Sequence, residues 1–311
     1  MKPWLLKAHR WIALVFSLPL VTVLGTGLVL SVEPWLVVQA IKPGTLTTEK
    51  VHALLDKYDP SGSASGISYR SYDNTLTIGG RGSGMVIDAA TGAPTAPSTA
   101  AALLGTMRRT HERFIFDQRW VVIASSFAML GLALLGLLMG WPRIRNTFAG
   151  WHKTMAWGGL PLIVLSPLTG ALLGYNVTFT GSASSGRVQG PPLNLKEAVE
   201  IAGKSHDLSA LLWIRPRGGR MAMRIVENSE YRNYAITRAG MEPMTRNWPR
   251  LWHEGNFAGM WSSLMNLVIS VAMLGLLITG GWIWLRRKLR AQVKRKYENA
   301  NEWAAAAIKP R

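Results

Sequence analysis

Residues 152–175 read HKTMAWGGLPLIVLSPLTGALLGY, and this stretch decides the class of fold. After His152 and Lys153, the chain carries no charged residue until Arg187. A helix needs roughly 20 apolar residues to cross a hydrocarbon core about 30 Å thick, and this stretch meets that length. The sequence therefore predicts a membrane-spanning helix that a histidine precedes.

Three other stretches of the 311-residue chain are as long and nearly as free of charge. With the first, they give four predicted spans, at residues 11–31, 120–141, 155–175 and 261–284. The basic residues before the first span are also typical of a signal peptide, but its apolar run is longer and lacks a small-residue cleavage pattern, so we expect a retained anchor. The fold class is a mainly α membrane protein, a bundle of four transmembrane helices.

Charge predicts how the bundle is oriented. Basic residues cluster before the first span, between the second and third spans, and after the fourth span, while the two long loops are closer to balance. The positive-inside rule places both termini in the cytoplasm and both loops outside, as for a bacterial inner-membrane protein. The net charge of +18 is mostly juxtamembrane, which suits membrane lipids and gives no indication of nucleic-acid binding. The absence of cysteine excludes disulfides and cysteine-ligated iron–sulfur clusters.

Each long loop has the pattern of a small α+β unit. A helix is predicted at residues 47–58 in the first loop and at 193–204 in the second. Strands are predicted after each helix, at 66–72, 75–79 and 85–88, and at 211–215, 220–226 and 231–237. We therefore expect two exported domains.

These predictions divide the chain into seven segments. They are the cytoplasmic N-terminus with the first span (1–35), the first periplasmic domain (36–105), the second span with its periplasmic entrance (106–142), the cytoplasmic loop with the third span (143–176), the second periplasmic domain (177–248), the fourth span with its periplasmic entrance (249–285) and a basic cytoplasmic tail (286–311).

The spans also match each other in pairs, the first with the third and the second with the fourth. The matching residues are His9 with His152, Thr26-Gly27 with Thr169-Gly170, and His111-Glu112 with His253-Glu254. Parallel repeats are a common membrane architecture, so the sequence predicts a duplicated span–domain–span unit. Glycines within the spans are interpreted mainly as sites of close helix packing.

Four of the six histidines stand at the entrances of the four spans. A single histidine near a span end is usually an interfacial residue. Here the predicted topology puts His9 and His152 at the cytoplasmic face and His111 and His253 at the outer face. Haem b with two imidazole ligands needs one histidine from each of two facing helices, so this pattern favours two haem b groups.

Charge beside the outer pair fits the same hypothesis. Arg108 and Arg109 flank His111 on the side where topology does not explain basic residues. They are our candidates for contacts with the haem propionates. No catalytic side chain is predicted, because two imidazoles saturate the iron and leave no position for a substrate.

Several motifs resemble those of the PepSY-associated transmembrane (PepSY_TM) family. They are Lys7-Ala8-His9-Arg10-Trp11, Trp151-His152-Lys153 and His253-Glu254-Gly255, and the resemblance extends over essentially the whole chain. Within that family the chain is similar to FoxB-type ferric-siderophore reductases. The resemblance implies PepSY-like periplasmic domains, two haem b groups whose iron is held by the four histidines, and reduction of a ferric chelate in the periplasm.

Three hypotheses follow. The first is a transmembrane reductase that takes electrons from a cytoplasmic reductase or a quinol and delivers them to a ferric siderophore or another ferric chelate. The second is a haem subunit that serves a partner oxidoreductase. The third is a membrane regulator without a cofactor, since PepSY domains have been linked to peptidase inhibition. Haem content separates the third hypothesis from the other two.

Overall fold

The protein is described by a computed structural model over residues 3–80, 83–141, 145–179 and 193–307. The helices of the first half are α1 (Pro3–Val15), α2 (Ser17–Leu30), α3 (Glu33–Ala40), α4 (Thr48–Tyr58), α5 (Thr99–Arg113) and α6 (Arg119–Leu138). Those of the second half are α7 (Phe148–Gly158), α8 (Leu160–Gly174), α9 (Leu195–Ser205), α10 (Trp248–Glu254) and α11 (Met260–Ala307). The predicted boundary between residues 142 and 143 lies outside the described residues.

Three helical stretches are long and apolar enough to cross a membrane, at Ser17–Ala40, Arg119–Leu138 and Met260–Ala300. A fourth is counted if the pair α7 and α8 forms one span. The mostly helical chain is thus a membrane protein with three or four candidate spans, in line with the predicted class. The first stretch begins and ends later than predicted, because α1 and α2 are separate helices.

The pair α7 and α8 bends by 67° at Gly159. Pro161 follows in the first turn of α8 and has no backbone N–H, so it cannot continue the hydrogen-bond ladder of α7. Two glycines at the junction add conformational freedom, which suits a sharp kink. The bend sets the direction of α7, the helix that carries His152.

The strands form one antiparallel sheet in the order β3-β2-β1-β4-β5-β6-β7. They are β1 (Gly66–Arg70), β2 (Thr75–Gly80), β3 (Ser83–Asp88), β4 (Leu211–Arg217), β5 (Arg220–Glu227), β6 (Glu230–Thr237) and β7 (Gly240–Pro243). Strands β1 and β4 pair with Ile67 opposite Ile214, which joins the two loops. Our expectation of two α+β units is corrected accordingly, because both segments build a single sheet.

One hydrophobic core lies beneath this sheet. Helices α4 and α9 pack side by side, and their apolar residues, such as Val51 and Val199, are fully buried with Ile214 and Met223 from the strands. Each such buried side chain stabilises the folded domain by about 1.5–3 kcal/mol. Residues from both loops contribute to the core, so the sheet domain is one folding unit.

The bundle repeats its contacts. Helix α1 packs on α6 as α7 packs on α11, and α2 packs on α5 as α8 packs on α10. A small apolar cluster of Leu24, Ile163, Ile269 and Met273 lies between the helices. These contacts bring each histidine-bearing helix against a neighbouring helix.

The sheet domain contacts one end of the bundle. Ser71 donates a hydrogen bond to the Val37 carbonyl at the end of α3, and Arg224 on β5 forms an ion pair with Glu254 on α10. Glu254 follows His253 directly in the chain. The domain therefore lies beside the end of the bundle that holds His253.

Candidate functional site: two histidine pairs

His111 lies in the last turn of α5, a helix that Ser98 caps at its start. Its Nδ1 atom is 3.0 Å from the Val23 carbonyl and 3.1 Å from the Thr26 hydroxyl, both on α2. The first contact fixes the ring against the neighbouring helix, and the second is repeated at two other histidines.

The partners of Nδ1 decide which ring nitrogen carries the proton. The Thr26 hydroxyl already donates its only hydrogen to the Thr22 carbonyl at 2.7 Å, so it accepts from His111. The Val23 carbonyl can only accept. Nδ1 of His111 therefore bears the hydrogen, which leaves Nε2 with a free lone pair, the form that ligates metals.

His253 on α10 makes the same contacts with α8. Its Nδ1 is 3.2 Å from the Ser166 carbonyl and 3.2 Å from the Thr169 hydroxyl, which donates to Leu165 at 2.8 Å. The same reasoning leaves Nε2 of His253 free. His111 and His253, at one end of the bundle, therefore have the same tautomer.

The rings of His111 and His253 face each other. Their centroids are 5.8 Å apart and their planes are inclined by 42°. Ring nitrogens bond metals at about 2 Å, so two rings at this separation could share one ion where a nitrogen of each is turned toward it. Among the described residues, no group of three or more histidine, cysteine or carboxylate side chains converges on a metal position.

Both imidazoles of this pair are held neutral. Burial, together with the nearby His253 ring, lowers the pKa of His111 to about 4. Burial also lowers the pKa of His253, although the Glu254 carboxylate opposes that change. Neutral imidazole is the form that can bind a metal through nitrogen.

The second pair, His9 and His152, lies at the other end of the bundle. The two imidazoles are close enough to interact electrostatically. Nδ1 of His152 is 2.9 Å from the Thr279 hydroxyl, which donates to the Gly275 carbonyl at 2.7 Å. His152 therefore has the tautomer of the other pair.

His9 differs from the other three. Within the described residues its buried Nδ1 has no hydrogen-bonding partner of ordinary length and angle, although the Leu132 carbonyl lies close enough to interact with the ring. If Met129-Leu130-Gly131 corresponds to Met273-Leu274-Gly275, the residue that corresponds to Thr279 is Leu135, which has no hydroxyl. The hydroxyl contact is thus present at three histidines and absent at the fourth.

A glycine follows each of these threonines. A Cβ atom on Gly27 would lie 3.1 Å from Cε1 of His111, one on Gly170 would lie 3.2 Å from Cε1 of His253, and one on Gly280 would lie 3.3 Å from Cε1 of His152. The glycines let the imidazoles approach the neighbouring helix. The sequence contained this signal in the repeated Thr-Gly pairs, but our interpretation stopped at helix packing.

The two arginines proposed for the propionates have different surroundings. Arg108 forms an ion pair with Glu33; burial opposes its charge, yet Glu33, Glu254 and Glu112 together raise the pKa of Arg108. Arg109 is exposed and donates to the Thr106 hydroxyl at 3.2 Å. Arg108 is near enough to act electrostatically on His111, and a role for either arginine in haem binding stays a prediction.

A buried ion network lies next to His253. Glu254 accepts hydrogen bonds from Arg224 at 2.7 Å, from Arg250 at 2.6 Å and from Asn256 at 2.7 Å. Burial alone would raise its pKa, but Arg224, Arg250 and Arg108 hold the pKa of Glu254 well below its usual range. Arg250 was not singled out from the sequence, although a spacing of four residues from Glu254 on one helix is typical of an ion pair. The contact of Arg224 joins a strand of the sheet to α10 and could not be predicted from the sequence.

The family model described as PepSY-associated TM region matches residues 6–287 of the chain. This range contains all four histidines and the sheet domain. A comparison with curated proteins finds no match.

Proposed function

We propose that this chain, which belongs to the PepSY-associated TM family, is a di-haem b oxidoreductase of the bacterial inner membrane. In this proposal it passes electrons from the cytoplasmic side to a ferric siderophore in the periplasm, and Fe(II) is released. The observation that carries the proposal is the facing pair His111 and His253, each with its Nδ1 hydrogen-bonded.

The residues fit haem b better than a bare metal ion. Each pair supplies two neutral ring nitrogens and no carboxylate or thiolate ligand, which suits an iron whose other four ligands come from a macrocycle. His111 and His253 would hold one haem, and His9 and His152 would hold the other. Haem b, when bound, would accept and pass on single electrons.

The protein's own residues would keep the ligands in position. Thr26 and Thr169 hold the tautomers that expose Nε2, and the neighbouring glycines bring the rings against α2 and α8. Hydrogen bonds to Nδ1 also make Nε2 a stronger electron donor. The matched packing of α1 on α6 and α7 on α11 supports a duplicated unit with one histidine pair at each end.

The proposed acceptor follows from the family resemblance and from the location of the sheet domain. That domain lies beside His253, so a chelate that docks on it would be near the pair proposed for the outer face. One electron reduces Fe(III) to Fe(II), and siderophores hold Fe(II) more weakly. A cytoplasmic reductase or a quinol would supply the electron.

The reduced-minus-oxidised absorption spectrum of the purified protein tests this proposal. We expect b-type α bands and two haems per chain. His111→Ala and His253→Ala should each remove the same half of the signal, whereas His52→Ala, on helix α4, should remove none. A protein purified without any b-type band would exclude the redox function and favour the regulator hypothesis.

A second measurement tests the acceptor. The protein is reduced, mixed with a ferric siderophore and followed for haem reoxidation, while a Fe(II)-specific dye reports the released iron. The proposal predicts one Fe(II) for each electron lost. Haem that stays reduced in the presence of siderophores would indicate a subunit that serves a partner protein.

A further inference from the structure

A pocket rich in arginine lies between strands β5 and β6 and helix α10. Its polar lining consists of Arg224, Tyr231, Arg232, Asn233, Arg246, Asn247 and Arg250, and Met244 and Leu251 complete it. We call this group the arginine pocket. It has room for about one water-sized sphere, so it can take one oxygen atom of a charged group, with the rest of the ligand outside.

Positive charge exceeds negative charge in the arginine pocket. Arg224 and Arg250 form ion pairs with Glu254, and Arg232 and Arg246 form ion pairs with Glu230. Four guanidinium groups therefore face two carboxylates. The Glu230 and Glu254 side chains are only 10% and 18% exposed, whereas those of Arg232, Arg246 and Arg250 are 36%, 37% and 40% exposed. Three of the four arginines therefore present more of their surface to the solvent than the carboxylates do.

Several donors of these arginines are not used by the carboxylates. Nε of Arg224 and Nε of Arg246 are buried and have no hydrogen-bonding partner in the described part of the chain. The Arg224 side chain is only 12% exposed. A buried donor without a partner costs free energy, which an oxyanion would recover through charge-assisted hydrogen bonds.

Two acceptors in the same place also lack partners among the described residues, Asn233 Oδ1 and Glu230 Oε1. They would repel an anion unless its ligand also carries a donor. A hydroxyl group next to a carboxylate would meet both requirements, because the carboxylate accepts from the arginines and the hydroxyl donates to Asn233 or Glu230.

We propose that the arginine pocket binds a carboxylate of an anionic, hydroxyl-bearing ligand at the surface of the sheet domain. The inference rests on the proposed function in one respect, that the ligand is part of the electron acceptor. Arg250 lies three residues before His253 on α10, and both Arg224 and Arg250 contact Glu254, the residue that follows it. The bound carboxylate would thus direct an anionic ferric chelate to the outer histidine pair.

Binding is tested with citrate, which has three carboxylates and one hydroxyl. Calorimetric titration of the purified, haem-loaded protein in phosphatidylcholine nanodiscs should show one citrate per chain, with an affinity that salt reduces. The informative variant is Arg246→Gln with Glu230→Gln, which removes a donor and its carboxylate partner together and keeps the net charge unchanged. Arg232 also loses its partner Glu230, but its side chain is 36% exposed and can be solvated by water. We expect it to weaken citrate binding about tenfold or more.

Arg238→Gln, which alters an arginine in the turn between β6 and β7 and outside the pocket, is the matched control and should bind citrate like the wild type. Wild-type protein without saturable citrate binding would overturn the proposal. Equal binding by the double variant and the wild type would overturn it as well.

Two other sources of an oxyanion give different results. If the double variant loses the absorption band assigned to the outer pair, the pocket holds a haem propionate and the proposal is wrong. If phosphatidylglycerol in the nanodiscs abolishes citrate binding, a lipid phosphate is the occupant and the proposal is wrong. Citrate binding by protein that contains no haem would contradict the proposed redox function and leave the carboxylate site standing.

The link to electron transfer is tested by kinetics. In the double variant the KM for ferric citrate should rise about tenfold with kcat unchanged, while the KM for a neutral ferric maltol complex should stay constant. Equal changes for both chelates would contradict a role of the pocket in acceptor binding.

Discussion

At the scale of single residues, the hydroxyl of Thr26 is the atom whose role can be isolated. It donates to Thr22 and accepts from His111, and valine has the same shape without the oxygen. If His111 and His253 hold a haem as proposed, Thr26→Val should raise the midpoint potential of that haem, because a weaker hydrogen bond at Nδ1 makes Nε2 a poorer donor to Fe(III). Spectroelectrochemical titration measures the change.

Thr22→Val is the control for this experiment. Thr22 lies one turn earlier on α2, and its hydroxyl bonds only the Leu18 carbonyl. The potential should not change in this variant. A shift of the same size in both variants would show that the effect comes from the helix and not from His111.

Glu254 gives a pH dependence at the same scale. Its pKa is lowered in the folded protein by Arg224 and Arg250, so its contribution to stability is complete above its ordinary value of 4.5 and is lost as pH falls through the folded value. Glu254→Gln should therefore lower the melting temperature at pH 7 by an amount that shrinks below pH 4.5. A difference that stays constant between pH 7 and pH 3.5 would contradict the ion network, and thermal unfolding followed by tryptophan fluorescence decides it.

At the scale of helices, the close approach of α5 to α2 depends on Gly27, which has no side chain. Gly27→Ala would place a methyl group 3.1 Å from Cε1 of His111, so the ring must move. We expect the variant to bind the outer haem about 10- to 100-fold more weakly, by analogy with other changes around metal ligands. Haem titration of the apoprotein measures the affinity.

Gly25 on the same helix provides the matched control. A Cβ atom there meets no atom within 4 Å. Gly25→Ala should keep haem affinity and stabilise α2 by about 0.5–1 kcal/mol, since glycine is a poor helix former. Loss of haem in both variants would mean that the helix as a whole rejects alanine.

At the scale of the whole molecule, the sheet domain makes one unit from two distant parts of the chain. Ile214 on β4 is completely buried and lies opposite Ile67 on β1. Ile214→Ala should destabilise the domain by about 2–5 kcal/mol, as large-to-small changes in cores do. Hydrogen exchange should show lost protection in β1 and β2 as well as in β5 and β6. Protection that is lost only after residue 193 would instead indicate two independent units.

The sequence was sufficient to predict the positions of individual helical spans and strands. Hydrophobic runs and charge placed the candidate spans, and alternation predicted six strands within a few residues of their positions. Strand β7 was not predicted, because Gly240–Pro243 is only four residues long and too short to show a clear alternation. The pairing of Ile67 with Ile214 could not be predicted, because alternation shows which face of a strand is buried and not which strand lies beside it.

The candidate site was predictable to a similar depth. The positions of the four histidines at span entrances indicated two pairs, and the structure brings His111 and His253 into contact. The hydroxyls of Thr26 and Thr169 and the arginine pocket required three dimensions, since each joins residues more than 80 positions apart or a strand to a helix. Helix α5 (Thr99–Arg113) was not predicted, although its amphipathicity is similar to that of α4.

Leu135 has a consequence for the redox potentials of the two histidine pairs. Three of the four imidazoles rest on a threonine, and His9 does not. An imidazole that lacks this hydroxyl acceptor donates less charge to iron, so we expect a haem bound at His9 to have a higher midpoint potential than it would have with threonine at position 135. One leucine side chain would then make the midpoint potentials of the two ends unequal in an otherwise repeated scaffold. The end of the bundle with His9 would be reduced first and would hold the electron before each transfer outward.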